Sequence, residues 1–201
     1  MIFHINEQNP QMRLVDKCIE ILKKDGIIIY PTDTVYAFGC DIESRAAIEK
    51  LYRIKNIDRN QPLSFIFSDI SQISDYTRNI SNNAFKIMKK TLPGPYTYIF
   101  QASKLVPKIV LTKQKTVGVR IPDNNVAQAI VNRLGRPILS SSLNESGDDF
   151  SIDPESLELK LRNMVDVVID SGKKIQELST IVDFSSGDPV IIRSGHGKFD
   201  F

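Results

Sequence analysis

The sequence predicts an α/β domain with a mixed, twisted sheet flanked by helices. Three observations point there. Apolar periodicity alternates between strand and helix along the chain, short β-branched runs end at Pro or Gly, and the last two predicted strands are close enough to form a hairpin. With 41% hydrophobic and 25% charged residues in 201, the chain is neither disordered nor collagen-like. No low-complexity stretch, repeat or linker divides it, so residues 1–201 read as one domain.

In order, Ile2–Ile5 opens as a strand, and Asn9-Pro10 begins a helix with Asn9 as cap. Leu14, Val15, Cys18, Ile19 and Leu22 form its apolar face, and Gly26 ends it. Ile27–Tyr30 is a strand closed by Pro31, followed by the polar turn Thr32-Asp33-Thr34 and a helix over Ser44–Ile54. Pro62–Phe67, Tyr96–Gln101, Thr116–Ile121, Asp166–Ile169, Ser179–Phe184 and Pro189–Arg193 read as strands. Asn82–Lys90 and Asn124–Leu134 read as helices, and Ile138-Leu139 leads into the run Ser140-Ser141-Ser142.

The formal charge of +2 conceals a cancellation. Residues 76–122 hold nine Lys and Arg and no carboxylate, whereas residues 143–188 hold eleven acids against four bases. Such a basic stretch either coats a solvated face or focuses positive potential on a groove that binds phosphates. The second reading is preferred, because solvated faces mix signs.

Several chemistries are excluded. No run approaches 18 apolar residues and no basic-then-apolar leader opens the chain, so neither a membrane nor secretion is expected and the protein is placed in the cytoplasm. His4 and His196 have no Cys or His at ligand spacing, and no metal site is expected. GxSxG, Walker and GxGxxG motifs are absent. Cys18 packs on its helix, while Cys40, beside the Thr32 turn, borders a pocket. What remains is a set of hydroxyl and basic residues at strand ends. Thr32 and Thr34 follow one strand and Lys55 ends a helix; Thr116 and Arg120 share a strand face, as do Ser140 and Ser142, with Asn144 two further on. Ser179 opens a strand and Arg193 closes one. Arginine forks onto carboxylate or phosphate and hydroxyls donate to phosphate oxygens, so the set suits a nucleotide and a small carboxylate.

The segments YPTDTVYAFGCD (30–41), LPGPYTYIF (92–100), TVGVRIP (116–122), PILSSSLN (137–144), STIVDF (179–184) and PVIIRSG (189–195) occur in this order. Together they resemble the YrdC/YciO family, whose best-known members are threonylcarbamoyl-AMP synthases. The resemblance implies a YrdC-like fold with a positively charged concave cleft. It implies use of ATP, with Mg²⁺ on its phosphates, L-threonine and bicarbonate to make threonylcarbamoyl-AMP and pyrophosphate for tRNA modification. Carried across, Thr34, Arg120 and Ser179 would contact threonine, and Thr116, Ser140, Ser142, Asn144 and Arg193 would contact ATP. Lys55 matches the basic residue that opens the synthases' signature segment.

That segment departs from the synthases. They read K-x-R-P, then an asparagine before Pro-Leu and a histidine soon after; here Ile57, Gln61 and Ile66 stand at those positions. Arg59, two residues on, is the substitute for the missing arginine, and with Lys55 it completes the expected catalytic pair. The pattern resembles the YciO branch more closely. The alternative is therefore a paralogue with weak or no synthase activity that binds double-stranded RNA or tRNA through the basic cleft. Nothing in the sequence selects an oligomeric state.

Overall fold

The computed structural model describes residues 1–143, 153–172, 174 and 177–198. The first half runs β1 (Ile2–His4), α1 (Met12–Lys23), β2 (Ile28–Tyr30), β3 (Ala37–Asp41), α2 (Arg45–Lys55), β4 (Ser64–Ile66), α3 (Ile70–Tyr76), β5 (Thr77–Arg78) and α4 (Asn82–Thr91). The second runs β6 (Tyr96–Ala102), a 3₁₀ turn (Lys108–Val110), β7 (Thr116–Arg120), α5 (Asn125–Leu134), β8 (Ile138–Ser142), α6 (Pro154–Leu161), β9 (Val167–Asp170), β10 (Thr180–Asp183) and β11 (Val190–Arg193).

Local chemistry sets most helix ends. The side chains of Ser44, Ser81 and Asp153 accept backbone N–H groups at the starts of α2, α4 and α6, and Asn124 accepts two at the start of α5. Gly135, at φ 77°, closes α5 in the left-handed conformation. The first helix departs from expectation. It begins at Met12 with Gln11 in the cap position, not Asn9. Asn6 accepts the N–H groups of Gln8 and Asn9 while Gln11 accepts that of Asn6, and this closed turn postpones the helix. Its C-terminal cap is Lys24, and Asp25 (φ 62°) rather than Gly26 takes the left-handed conformation.

The strands join one mixed sheet in the order β1-β9-β2-β3-β8-β4-β7-β6-β10-β11, with β5 beside β6. Parallel pairs (β1/β9, β2/β9, β4/β7, β6/β10) are mixed with antiparallel ones (β2/β3, β3/β8, β4/β8, β6/β7), and β10/β11 is the expected hairpin. Strand β3 has no counterpart in the sequence reading. Its Ala-Phe-Gly-Cys-Asp run is weak in intrinsic strand preference, and neighbours on both sides hold it extended with all five residues buried. Helices α3 and α6 were likewise not predicted.

Alternation along the strands sorts side chains onto two faces. The back face presents Phe38, Phe65, Tyr98, Phe100, Val119 and Val182 to α2, α3, α4 and α6, in one large apolar core. On the front, α1 and α5 pack over Ile28, Tyr30, Ala37, Ile66 and Ile138 in a second core. That cover stops short of β6, β10 and β11, whose front residues belong to neither core. The uncovered front surface is a concave cleft.

Candidate active site

The cleft holds a cavity of about 140 Å³ that opens to solvent. The even step along each strand builds its wall: Thr116, Gly118 and Arg120 from β7, Ser140 and Ser142 from β8, Ser64 and Ile66 from β4, Thr97 and Ile99 from β6, Ile181 and Asp183 from β10, and Arg193 from β11. Ser179, just before β10, joins them. The structure thus brings together six of the predicted residues: Thr116, Arg120, Ser140, Ser142, Ser179 and Arg193. Asn144 lies outside the described residues.

Arg120 is the most constrained. Its Nη2 donates to Asp33 Oδ1 at 2.5 Å and to Thr34 Oγ1 at 2.8 Å, and its side chain and that of Asp33 are 9% and 10% exposed. Thr32 donates its one hydroxyl proton to the Val35 carbonyl at 2.6 Å. In the 3.0 Å Thr32–Thr34 pair Thr34 must therefore donate, which leaves its oxygen to accept from Arg120. The Thr32-Asp33-Thr34 turn is a socket that aims the guanidinium. Both Nη2 protons are used there, and Nε is buried with no partner within the protein.

Across the cleft, Arg193 donates from Nε and Nη2 to the Ser179 carbonyl at 3.2 and 3.0 Å. The Ser179 hydroxyl pairs with Thr97 Oγ1 at 2.9 Å. Ser142 Oγ is buried with no partner within the protein, whereas Ser140 Oγ meets the Tyr30 hydroxyl at 2.6 Å. Tyr30 reaches Ser140 by crossing β3 over Gly39, where a Cβ would stand 2.9 Å from the ring. Burial pushes the Tyr30 phenol well above its ordinary range, so it is neutral and able to donate to Ser140.

Other placements correct the sequence reading. Thr34 is fully buried behind Arg120 and is not part of the wall. Lys55 is 7% exposed and lies behind the cleft; its Nζ donates to the Ser142 carbonyl at 2.8 Å and sits 5.8 Å from the centre of the Phe38 ring. The reason is that α2 packs on the back of the sheet, so its last residue approaches β8 from that side. Arg59 does not enter the cleft. It faces Glu49 at 3.7 Å in a surface basin with Tyr52 and Arg53, because Asn56 turns the chain out of α2 in the left-handed conformation. Ile57 packs on the back core, and of the three departures only Ile66 lies in the cleft wall.

Cys40 borders no part of the wall; it is buried in the back core, where desolvation raises its thiol. Cys18 packs as expected and burial pushes it up to about 12. Of the nine cations of residues 76–122, Arg120 alone lines the cleft, and the other eight are exposed, Arg78 on the short strand β5 and the rest on helices, turns and loops. His4 and His196 bond to Asp170 and Glu177 at 2.9 and 3.0 Å, away from the cleft. Among the described residues no group of three His, Cys, Asp or Glu converges as a metal cage, and no helix is long and apolar enough to cross a membrane.

Sequence reasoning missed Ser64, Thr97, Gly118 and Asp183. The even-step rule that pairs Thr116 with Arg120 would have found Gly118 between them, and Asp183 four residues after Ser179.

Fold and cleft together define an α/β domain that carries a hydroxyl-lined cleft with two arginines on an open sheet face. A sequence model of the Sua5/YciO/YrdC family, described as "Telomere recombination", matches residues 20–195, and the chain belongs to that family. It is 40% identical to YciO of Escherichia coli K12, an uncharacterized protein, over 97% of this chain and 95% of that one. It is 32% identical to a putative threonylcarbamoyl-AMP synthase of Methanocaldococcus jannaschii, over 96% of this chain and 91% of the other. The crystal structure of E. coli YciO superposes with a TM-score of 0.93 over 98% and 97% of the two chains. The fold recurs in P. abyssi Sua5 complexed with L-threonine, at a TM-score of 0.90 and 24% identity; 97% of this chain matches 57% of that one.

Proposed function

We propose that the cleft binds ATP and L-threonine and that the protein makes threonylcarbamoyl-AMP and pyrophosphate from them and bicarbonate, supplying the threonylcarbamoyl-adenosine modification of tRNA. Family relatives named threonylcarbamoyl-AMP synthase, at 30–32% identity, support the reaction class. The observation that carries it for this chain is the convergence of Arg120, Arg193 and the hydroxyl residues Thr116, Ser140, Ser142 and Ser179 on one cleft wall. Arginine forks onto carboxylate or phosphate, and hydroxyls donate to phosphate oxygens.

In this mechanism Arg120 holds the threonine carboxylate, with Ser179 beside it, while the threonine nitrogen bonds to the carbon of bicarbonate with loss of water. A carbamate oxygen then attacks the α-phosphorus and pyrophosphate leaves. Thr116, Ser140, Ser142 and Arg193 hold the nucleotide, so the protein contributes orientation and charge neutralisation. Magnesium enters as part of the MgATP substrate. A wall with Asp183 as its one carboxylate among the described residues fits that role, because Mg²⁺ keeps most of its waters and binds chiefly to phosphate. Lys55 shapes β8 from behind, and Arg59 takes no part. The buried, unbridged Cys18 and Cys40 fit a cytoplasmic setting.

The test is pyrophosphate release that requires ATP, bicarbonate and L-threonine together; release indifferent to threonine overturns the proposal. A second reading, binding of double-stranded RNA or tRNA, draws on the eight solvent-facing cations of residues 76–122. It requires affinity that falls steeply with salt.

A further inference from the structure

Asp183 is the one carboxylate in the cleft wall among the described residues, and the reading above gives it no task. Its Oδ1 accepts the Ser185 N–H at 2.7 Å, which leaves Oδ2 for another donor. The register shows what lies beside it. Ser140 pairs with Ser64, Ser64 with Gly118, Gly118 with Ile99 and Ile99 with Asp183, in one row across five strands. At the usual strand spacing that row spans roughly 19 Å.

The row changes character along its length. Its first part is hydroxyl-lined. Gly118 keeps the floor low, since a Cβ there would lie 3.0 Å from Ser64 Oγ. Beyond it Ile99 and Ile181 are only half-buried although they sit within the sheet, and they form an apolar platform ending at Asp183. The next row carries Arg120, Thr97, Ile181 and Arg193. A nucleotide with its phosphates at the Ser140 end of the row and its flat base over Gly118 and Ile99 would present the edge of that base to Asp183.

A carboxylate set against the 6-position of a purine accepts a hydrogen bond from an in-plane 6-amine and opposes a 6-oxo group, whose lone pairs face its own charge; the N1–H of a 6-oxo purine lies one ring position away. We propose that Asp183 reads the base of the bound nucleotide, selecting a 6-amino purine over a 6-oxo purine. The inference rests on the nucleotide reading above and adds to it the residue that sets base specificity.

Asp183→Asn tests it without disturbing the turn. The Ser185 N–H keeps the amide oxygen of the new side chain, so the amide nitrogen, a donor, replaces Oδ2 toward the cleft. The native full-length chain is expected to bind ATP about 10- to 100-fold more tightly than ITP, the range of one charged hydrogen bond. Asp183→Asn should lose most of that preference and bind ITP at least as well as ATP. A purely structural role would weaken both nucleotides equally and leave the ratio unchanged, which overturns the inference. Equal affinity of the native chain for ATP and ITP overturns it without any variant. Failure of the native chain to bind either nucleotide overturns the nucleotide reading and the inference together.

Discussion

The two faces of the same strands have opposite chemistry. On the back, Tyr98, Phe100 and Val182 are packed under helices; one residue along, on the front, Thr97, Ile99, Ile181 and Asp183 face an open cleft. Nothing but the two-residue period of the strand separates them. The back holds the fold and the front is left free to bind. The front still imposes a stability requirement at one point, because Arg120 and Asp33 are both buried there as an ion pair.

Arg120→Ala breaks this division most severely. It removes the predicted carboxylate ligand and leaves Asp33 buried without its partner, so unfolding free energy should fall by about 3–5 kcal/mol. Denaturant titration measures this, and a variant as stable as the native protein would show that the pair is inessential. Phe100→Ala on the back face should cost a similar roughly 3–5 kcal/mol through the cavity it leaves. At temperatures where the variant is folded, nucleotide affinity should stay near the native value, and a large loss of affinity would mean the faces are coupled. Tyr30→Phe is milder. Loss of the hydroxyl that meets Ser140 should cost about 1 kcal/mol in stability and weaken the nucleotide more than threonine, as calorimetric titration of each ligand would show.

The smallest effects come from titration. Asp69 caps α3 by accepting the Gln72 N–H, which holds its carboxyl below the usual range. That contribution is present above the ordinary aspartate range and is lost as pH falls through the lowered value. At the alkaline end burial raises Cys18 to about 12 from 9.0. Folding therefore keeps its proton longer than the unfolded chain does, and stability should decline above about pH 9, where unfolded thiols ionise. Urea midpoints across pH would show both slopes, and Asp69→Ala should remove its share of the acid one. Both thiols should resist a thiol reagent in the native state and react on unfolding.

Much of this was legible in the sequence because it is written locally. Caps at Ser44 and Asn124, the left-handed glycine after α5, the β-branched strands and the pairing of Thr116 with Arg120 depend on neighbours a few residues away. Ordered motifs carried the family. Other features were not local. Strand β3 is held between β2 and β8, which residues 31–137 separate in the sequence. Arg59 looked like a substitute for the missing arginine because sequence distance was the available measure, yet a left-handed turn at Asn56 takes it to the far side of α2. The basic stretch looked like a cleft lining, but most of its lysines lie on turns and outer helix faces, where a long charged chain keeps its water.

By itself, then, the sequence determined the alternation of strands and helices, the polar residues offered at strand ends and the family they mark. The tertiary structure decided which face each of those residues occupies and which of them meet. Thr34 became a support and Arg120 a wall residue because a socket of three consecutive residues closes on a strand 86 positions away. Lys55 lies behind the sheet because its helix packs there. Convergence of side chains depends on strand order and register, which long-range pairing sets and no local pattern encodes.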